Sequence, residues 1–309
     1  MALTFENVTF TGGLTFTSPP PPPSSKAIFG YGYTSTAVSM TNLVSNAGVV
    51  ATNTTGVGTA RLYLAAATYG TDKAIFGYGS PDGFYGLSMT NKVSNTGVVA
   101  TDTTGVGTDR HSLAAAGYGT DKAIFGYGRT PPGVQSMTNL VSNTGVVSND
   151  VTGVGTDREY LAAAGYGTDK AIFGYGRKSP GSRSMTNLVS NTGVVGNDVT
   201  GVGTARYALA AAGYGGDKAI FGYGVTGPNQ SMTNLVSNTG VVATDTTGVG
   251  TARAYLAAAV YDVDKAIFGY GDGPVSMTNL VSNTGVVSND VTGVGTARAY
   301  LAAAGYGNA

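Results

Sequence analysis

The chain has 309 residues, balances 17 Lys and Arg against 17 Asp and Glu, and contains 49 Gly, 11 Pro, one His, and neither Cys nor Trp. Only 11% of the residues are charged while 42% are hydrophobic, which argues against charge-driven disorder, and the zero net charge argues against the excess of Lys and Arg expected of a nucleic-acid binder. Without cysteine there is no disulfide framework, thiol nucleophile or thiolate-ligated metal, and a single His111 cannot build a histidine metal cage.

The opening MALTFENVTF lacks the positive start and apolar core of a secretory signal, and no run of eighteen apolar residues occurs. The expectation is a soluble chain made in a cytosol, without membrane insertion. Leu3, Phe5, Val8 and Phe10 precede Gly12-Gly13, and Leu14 and Phe16 follow it, predicting a β-hairpin within an anchor segment at 1–18. Five prolines, Pro19 to Pro23, predict a stiff polyproline II linker over 19–25. A lone hairpin is marginal in water. It is therefore expected either to pack on the remaining chain or to add strands to a partner or to a second copy, which would make a homo-oligomer.

From residue 26 onward one pattern repeats. KAIFGYG begins at Lys26, Lys73, Lys122, Lys170, Lys218 and Lys265, at spacings of 47, 49, 48, 48 and 47 residues. Each copy continues through a variable stretch, SMTN(L/K)VSN, a segment such as GVVATDTTGVGT, then Arg, two variable residues and LAAA. LAAAGYG, KAIFGYG, SMTNLVSN and GVVATDTT are strand-length, rich in β-branched and aromatic residues and punctuated by Gly, Asn and Asp. Four antiparallel strands at this period are the signature of propeller blades. The small residues of LAAA suit the innermost strand, and the alternation of Ala, Phe and Tyr against Ile and Gly in KAIFGYG suits a strand sandwiched between blades. The last copy, Arg298 to Ala309, is a first strand without its KAIFGYG, and the first copy lacks its LAAA. A ring satisfies both ends, whereas an open array leaves two edges. The predicted fold is all-β: a closed six-bladed β-propeller of four-stranded antiparallel blades over 26–309, the C-terminal strand completing the first blade.

Six copies in one chain permit an internal comparison. Variation concentrates in the loop between strands two and three, at 33–38, 80–87, 129–135, 177–183, 225–230 and 272–275, and in the pair after each Arg. In an antiparallel meander both places emerge on one face, where loops on a rigid scaffold carry recognition. The candidate ligand-binding residues are therefore Tyr33, Tyr63, Asp82, Phe84, Tyr85, Arg129, Glu159, Tyr160, Arg177, Lys178, Arg183, Tyr207, Asn229, Tyr255 and Asp272. Their aromatic rings and the basic sector at Arg129, Arg177, Lys178 and Arg183 suit sugar rings, anionic glycans or a protein epitope.

Charges that recur in every copy read as structural braces. These are the Lys of KAIFGYG, the Asp before it in five copies, and Arg61, Arg110, Arg158, Arg206, Arg253 and Arg298. Asp102, Asp150, Asp198, Asp245 and Asp290 precede Thr or Val-Thr and are expected to form local Asx-type turns, with calcium as the alternative. His111 has no motif around it and reads as a surface histidine. The non-repeated carboxylates are scattered over different blades, whereas glycosidic cleavage needs two of them about 5 to 10 Å apart. No catalytic residue, metal or cofactor is assigned, and a glycan-processing enzyme is the lesser alternative.

The order of Arg, small-residue strand, hydrophobic strand ending in a glycine pair, variable loop and two further strands resembles the kelch repeat. Here tyrosine splits the glycines, as in Gly30-Tyr31-Gly32 and Gly77-Tyr78-Gly79, and the kelch tryptophan is missing. The KAIFGYG and SMTNLVSNTGVV wording, with the opening MALTFENVTFTGGLTFTSPPPPP, is similar to repeat proteins of marine bacteriophages. That second resemblance implies a virion protein assembled in the host cytoplasm, located at a tail or fibre and attaching to a cell-surface glycan or receptor protein. Residues 1–18 would contact other virion proteins, and a purely structural decoration or a protein-interaction scaffold is the alternative.

Overall fold

The computed structural model describes residues 25–307, so the predicted hairpin at 1–18 and all but Ser25 of the predicted linker lie outside the described residues. Among the described residues every strand pairs antiparallel, and six three-stranded sheets recur along the chain. The second unit shows the plan. Ala65–Tyr69 pairs with Lys73–Gly77 from Ala65 opposite Gly77 to Tyr69 opposite Lys73, and Lys73–Gly77 pairs with Thr90–Val93. The first unit is assembled from both chain ends: Lys26–Gly30 pairs on one side with Thr41–Val44 and on the other with the C-terminal strand Ala302–Tyr306.

The predicted fourth strand is reduced to two contacts per unit. In the first unit Thr41 bridges Thr54 and Val44 bridges Val50, with no continuous ladder between. The intervening Ala51, Thr52 and Asn53 are exposed, and the Asn53 side chain reaches across to Thr296 of a neighbouring unit instead of lying along a ladder. Two variable loops add hairpins of their own, Arg129–Thr130 with Gly133–Val134 and Arg177–Lys178 with Gly181–Ser182.

The alanine-rich strands lie side by side. Ala65–Tyr69 touches both Ala302–Tyr306 and Ala114–Tyr118, and the contacts continue through Ala162–Tyr166, Ala210–Tyr214 and Ala257–Tyr261 to Ala302–Tyr306. Small side chains allow this approach. A Cβ on Gly117 would lie 3.3 Å from the Thr68 carbonyl oxygen.

Hydrophobic clusters sit between consecutive sheets. Ile75 of one unit packs with Ala123 and Phe125 of the next, all fully buried. The alternation of KAIFG explains this: Ala and Phe face one neighbour, Ile and Gly the other. Gly77 is the socket for Phe125, whose Cζ would stand 2.6 Å from an added Cβ. Each such phenylalanine contributes roughly 1.5–3 kcal/mol by burial, and the arrangement recurs at Gly30 with Phe76, Gly174 with Phe221 and Gly269 with Phe29.

The recurrent Arg supplies the second joint. Arg61, Arg110, Arg158, Arg206, Arg253 and Arg298 are buried, each guanidinium lying 4.3 to 4.7 Å from the ring centroid of Tyr31, Tyr78, Tyr127, Tyr175, Tyr223 or Tyr270. Such desolvated cation–π pairs are worth about 2 kcal/mol. Burial raises the phenol pKa of Tyr31, Tyr78, Tyr127 and Tyr175 to about 12 and lowers that of the Arg61 guanidinium.

Asp102, expected to shape a local turn, instead clamps two units together. It accepts hydrogen bonds from the Thr59 backbone N–H and hydroxyl of the preceding unit and from Asn91, and it faces Arg61 at 3.6 Å. Asp150, Asp198, Asp245 and Asp290 do the same for Arg110, Arg158, Arg206 and Arg253. At the meeting of the last and first units the acid is replaced by Asn53, which bonds Thr296 and Asn42. There the Arg298 Nη2 and Asn42 Oδ1 are buried without a hydrogen-bond partner among the described residues.

Candidate ligand-binding face

The two variable places of each unit meet as the sequence pattern implies. Leu62 bridges Ser80, His111 bridges Arg129, Glu159 bridges Arg177, Tyr207 bridges Val225, and Tyr33 bridges Ala299. The second residue of each variable pair has left-handed φ between 54° and 59°, at Tyr63, Ser112, Tyr160, Ala208, Tyr255 and Tyr300. Non-glycine residues adopt this region at a cost and need surrounding structure to hold them there. A backbone relay does so. Ser112 N–H donates to the Tyr63 carbonyl, Tyr160 to Ser112, Ala208 to Tyr160, Tyr255 to Ala208, Tyr300 to Tyr255 and Tyr63 to Tyr300, at 2.8–2.9 Å.

This relay draws four tyrosines together. The Tyr63 ring lies 5.4 Å from Tyr160, 6.3 Å from Tyr255 and 4.6 Å from Tyr300, mostly at steep angles. They pack on one another above a small cavity of about 80 Å³ walled by Leu64, Leu113 and their equivalents. Burial pushes the phenol pKa of Tyr63 and Tyr255 upward. Tyr63, Tyr160 and Tyr255 therefore share one cluster with Tyr300, while Tyr33 flanks it 6.0 Å from Tyr300. Tyr300 follows Arg298 at the same offset as Tyr63 follows Arg61, and that offset is the signal by which it could have been named.

Beside the cluster the charged residues that depart from the repeat converge. Glu159, its side chain only 5% exposed, accepts a hydrogen bond from Arg177 Nε at 3.0 Å and lies 3.7 Å from an Nη of Arg129. Arg177 is sandwiched between Tyr160 and Tyr207, 5.0 Å from each ring centroid. Lys178 pairs with Asp157. Arg129, Glu159, Arg177, Lys178 and Tyr207 line a cleft of about 830 Å³ between the two short hairpins. Arg183 stands apart from the cleft lining and donates to the carbonyls of Gly181 and Ser182 in its own loop.

His111 is buried, contrary to the expectation of a surface histidine. Its Nδ1 meets the Ser112 hydroxyl at 2.8 Å and its ring lies 5.9 Å from that of Tyr63. Burial lowers its pKa, with Glu159 partly opposing.

The other predicted residues occupy separate sectors. Asp82 accepts from the Phe84 and Tyr85 N–H groups, folding the loop so that Phe84 and Tyr85 stand 75% and 68% exposed. Asn229 donates to Asp272, which also accepts from the Ala254 N–H.

The opposite ends of the strands carry regular charge. Lys73, Lys122, Lys170 and Lys218 pair with the Asp before them at 2.6–2.9 Å, while Lys265 takes Asp262 rather than the adjoining Asp264. Ser25 lies at that end, its carbonyl accepting from the Asp262 N–H. No group of three or more metal-ligating side chains is present among the described residues. No family model matches the chain, and no curated protein matches it.

Proposed function

We propose that the six units close into a six-bladed, kelch-like propeller whose variable face binds a ligand without chemical turnover. Support for closure comes from the backbone relay through Tyr63, Ser112, Tyr160, Ala208, Tyr255 and Tyr300, whose last hydrogen bond returns to the residue where it began. It comes equally from the terminal strand Ala302–Tyr306 laid against Lys26–Gly30.

One observation carries the recognition reading. Side chains that differ from copy to copy gather on one face around the tyrosine cluster, while the residues that join the units are nearly the same in every copy. A scaffold stabilised six times over tolerates free choice of loop chemistry. Ser25, the first described residue, lies at the end of the strands away from the variable loops. An anchor there would present the recognition face outward, as an attachment protein at a phage tail or fibre requires. The ligand in that setting is a glycan or receptor protein on the host surface.

The test is binding of labelled protein to a panel of bacterial cells and surface polysaccharides, beside a variant with every variable loop replaced by the shortest, Asp272-Gly273-Pro274-Val275. Selective binding lost in a variant that keeps its melting temperature is the expected outcome. Binding that survives loop replacement removes the recognition face.

A further inference from the structure

Resting on that reading, we propose that the cleft between the Arg129–Val134 and Arg177–Ser182 hairpins takes an acidic saccharide. Its anionic group lies against Arg129 and Arg177, and a ring hydroxyl donates to Glu159.

The charge balance points to an anion. Two arginines share the single carboxylate of Glu159, and Lys178 is neutralised by Asp157. Arg177 spends only Nε on Glu159, and Arg129 stands beyond hydrogen-bond distance from it. Among the described residues the terminal nitrogens of both guanidiniums have no hydrogen-bond partner, although both side chains are about two-fifths exposed. Arg177 is already fixed by Tyr160, Tyr207 and Glu159, so little side-chain freedom remains to be lost on binding. A planar guanidinium edge held in this way matches a carboxylate or sulfate bidentately.

The second feature is inside the cleft wall. Glu159 Oε2 is buried and has no hydrogen-bond partner among the described residues. A buried carboxylate oxygen left without a donor is unfavourable, so it is an acceptor waiting for a hydroxyl or amide.

A sugar meets both demands within one residue, since its hydroxyls lie beside its anionic substituent. The cleft volume of about 830 Å³ accommodates a short oligosaccharide. Its walls are shallow pyrrolidine and aromatic surfaces, Pro132, Pro180 and Tyr207, on which the C–H face of a ring can rest. They supply no deep apolar socket of the sort that anchors a peptide side chain.

The experiment is isothermal titration of the full chain with three acidic oligosaccharides, an oligogalacturonate, a sialylated trisaccharide and a sulfated chondroitin fragment. Each is paired with its neutral counterpart, and a hexaglutamate peptide is included. At least one acid should bind and weaken with added salt, while its neutral counterpart binds at least about tenfold less tightly. Arg129→Gln should reduce the affinity by a similar factor at unchanged melting temperature, and Glu159→Gln should reduce it while leaving the salt dependence in place. Absence of binding by all three acids, equal binding of acid and neutral forms, equal binding of hexaglutamate, or an unaffected Arg129→Gln variant each overturns the assignment. Cell binding that persists in Arg129→Gln but is lost on replacing the loops at 80–87 and 272–275 refutes the cleft and leaves the recognition face standing.

Discussion

Asn53→Asp tests the joint between the last and first units. Five of the six buried arginines face an aspartate carboxylate at 3.3–3.9 Å, and Arg298 alone faces an asparagine among the described residues. Opposite charges about 4 Å apart attract by about 4 kcal/mol at an effective dielectric of 20. The five aspartates remain about 30% exposed, so screening and partial desolvation remove most of that attraction. What remains is about 1–2 kcal/mol, the usual difference between a charge-assisted and a neutral hydrogen bond. Asn53 already has the Thr296 and Asn42 contacts that its acidic counterparts have, so the substitution adds charge to an existing geometry. Differential scanning calorimetry at pH 7 should show a rise in Tm of about 2–4 °C. The gain should shrink as pH falls below about 4 toward the new carboxylate's depressed pKa, and Asp150→Asn should lose a comparable amount at pH 7. An unchanged or lowered Tm for Asn53→Asp at pH 7, or a gain that does not shrink with falling pH, refutes the claim that Arg298 lacks an anion.

Asp102, Asp150, Asp198, Asp245 and Asp290 are held below the ordinary carboxylate pKa of 3.8; burial opposes this, but the threonine and asparagine donors and the arginine outweigh it. Their stabilisation is complete above 3.8 and is lost as pH falls through the depressed values, so urea midpoints should drop steeply only below about pH 4. The buried His111 has a pKa below 6.5, so the unfolded chain binds its proton first and stability falls as pH drops below 6.5. His111→Gln should remove that slope between its folded value and 6.5, and a slope identical in the variant would contradict the burial argument. Deleting residues 298–309 removes Arg298, Leu301 and the strand on Lys26–Gly30. The expected loss exceeds about 5 kcal/mol, so an undiminished melting transition by circular dichroism would show that the terminal strand is not a clasp.

The strands, their order and the pairing of the two chain ends were legible because they depend on local alternation and on bookkeeping of copies. Ala, Ile and Phe in KAIFG declare two packed faces, and Gly77 is where a ring from the next unit must fit. The fourth segment reads as a strand but makes only two bridges in each unit. Its composition suits one, yet its acid is pulled into a contact with a residue about forty positions earlier, such as Asp150 with Thr108. No local pattern encodes that reach, which is also why an Asx turn was expected there. The recognition face was legible as a set of positions and not as a geometry. Arg129 and Glu159 sit thirty residues apart in the copy that starts at Lys122 and Arg177 in the next, and only three-dimensional adjacency turns them into one ion-paired cleft. His111 misleads for the same reason, since its burial is imposed by Ser112, Tyr63 and the neighbouring loop rather than by its own surroundings in sequence.

The division of labour among the charges follows from how often each is made. A lysine, arginine or aspartate of the repeat meets an equivalent partner in most units, with Lys265 on Asp262 and Arg298 beside Asn53 as the departures, and its role is fixed by the joint between sheets. Charges outside the repeat have no such partner supplied by the framework, and on the variable face they must satisfy one another or a ligand. Glu159 with Arg177, and Lys178 with Asp157, satisfy one another across adjacent loops. Arg129 only shares the oxygen that Arg177 already holds, at 3.7 Å, and the second oxygen of Glu159 is left over. The other buried unpaired polar atoms among the described residues, on Asn42, Arg61, Arg110 and Arg298, belong to the repeated joint, whereas this acceptor sits where the copies differ most. Replacing Glu159 by the Ala found at the corresponding Ala254 would remove that unpaired oxygen together with two ion pairs. If the oxygen served only the fold, stability would respond. If it serves a ligand, affinity for the acidic saccharide should fall further than stability, and the comparison of the two losses separates the roles.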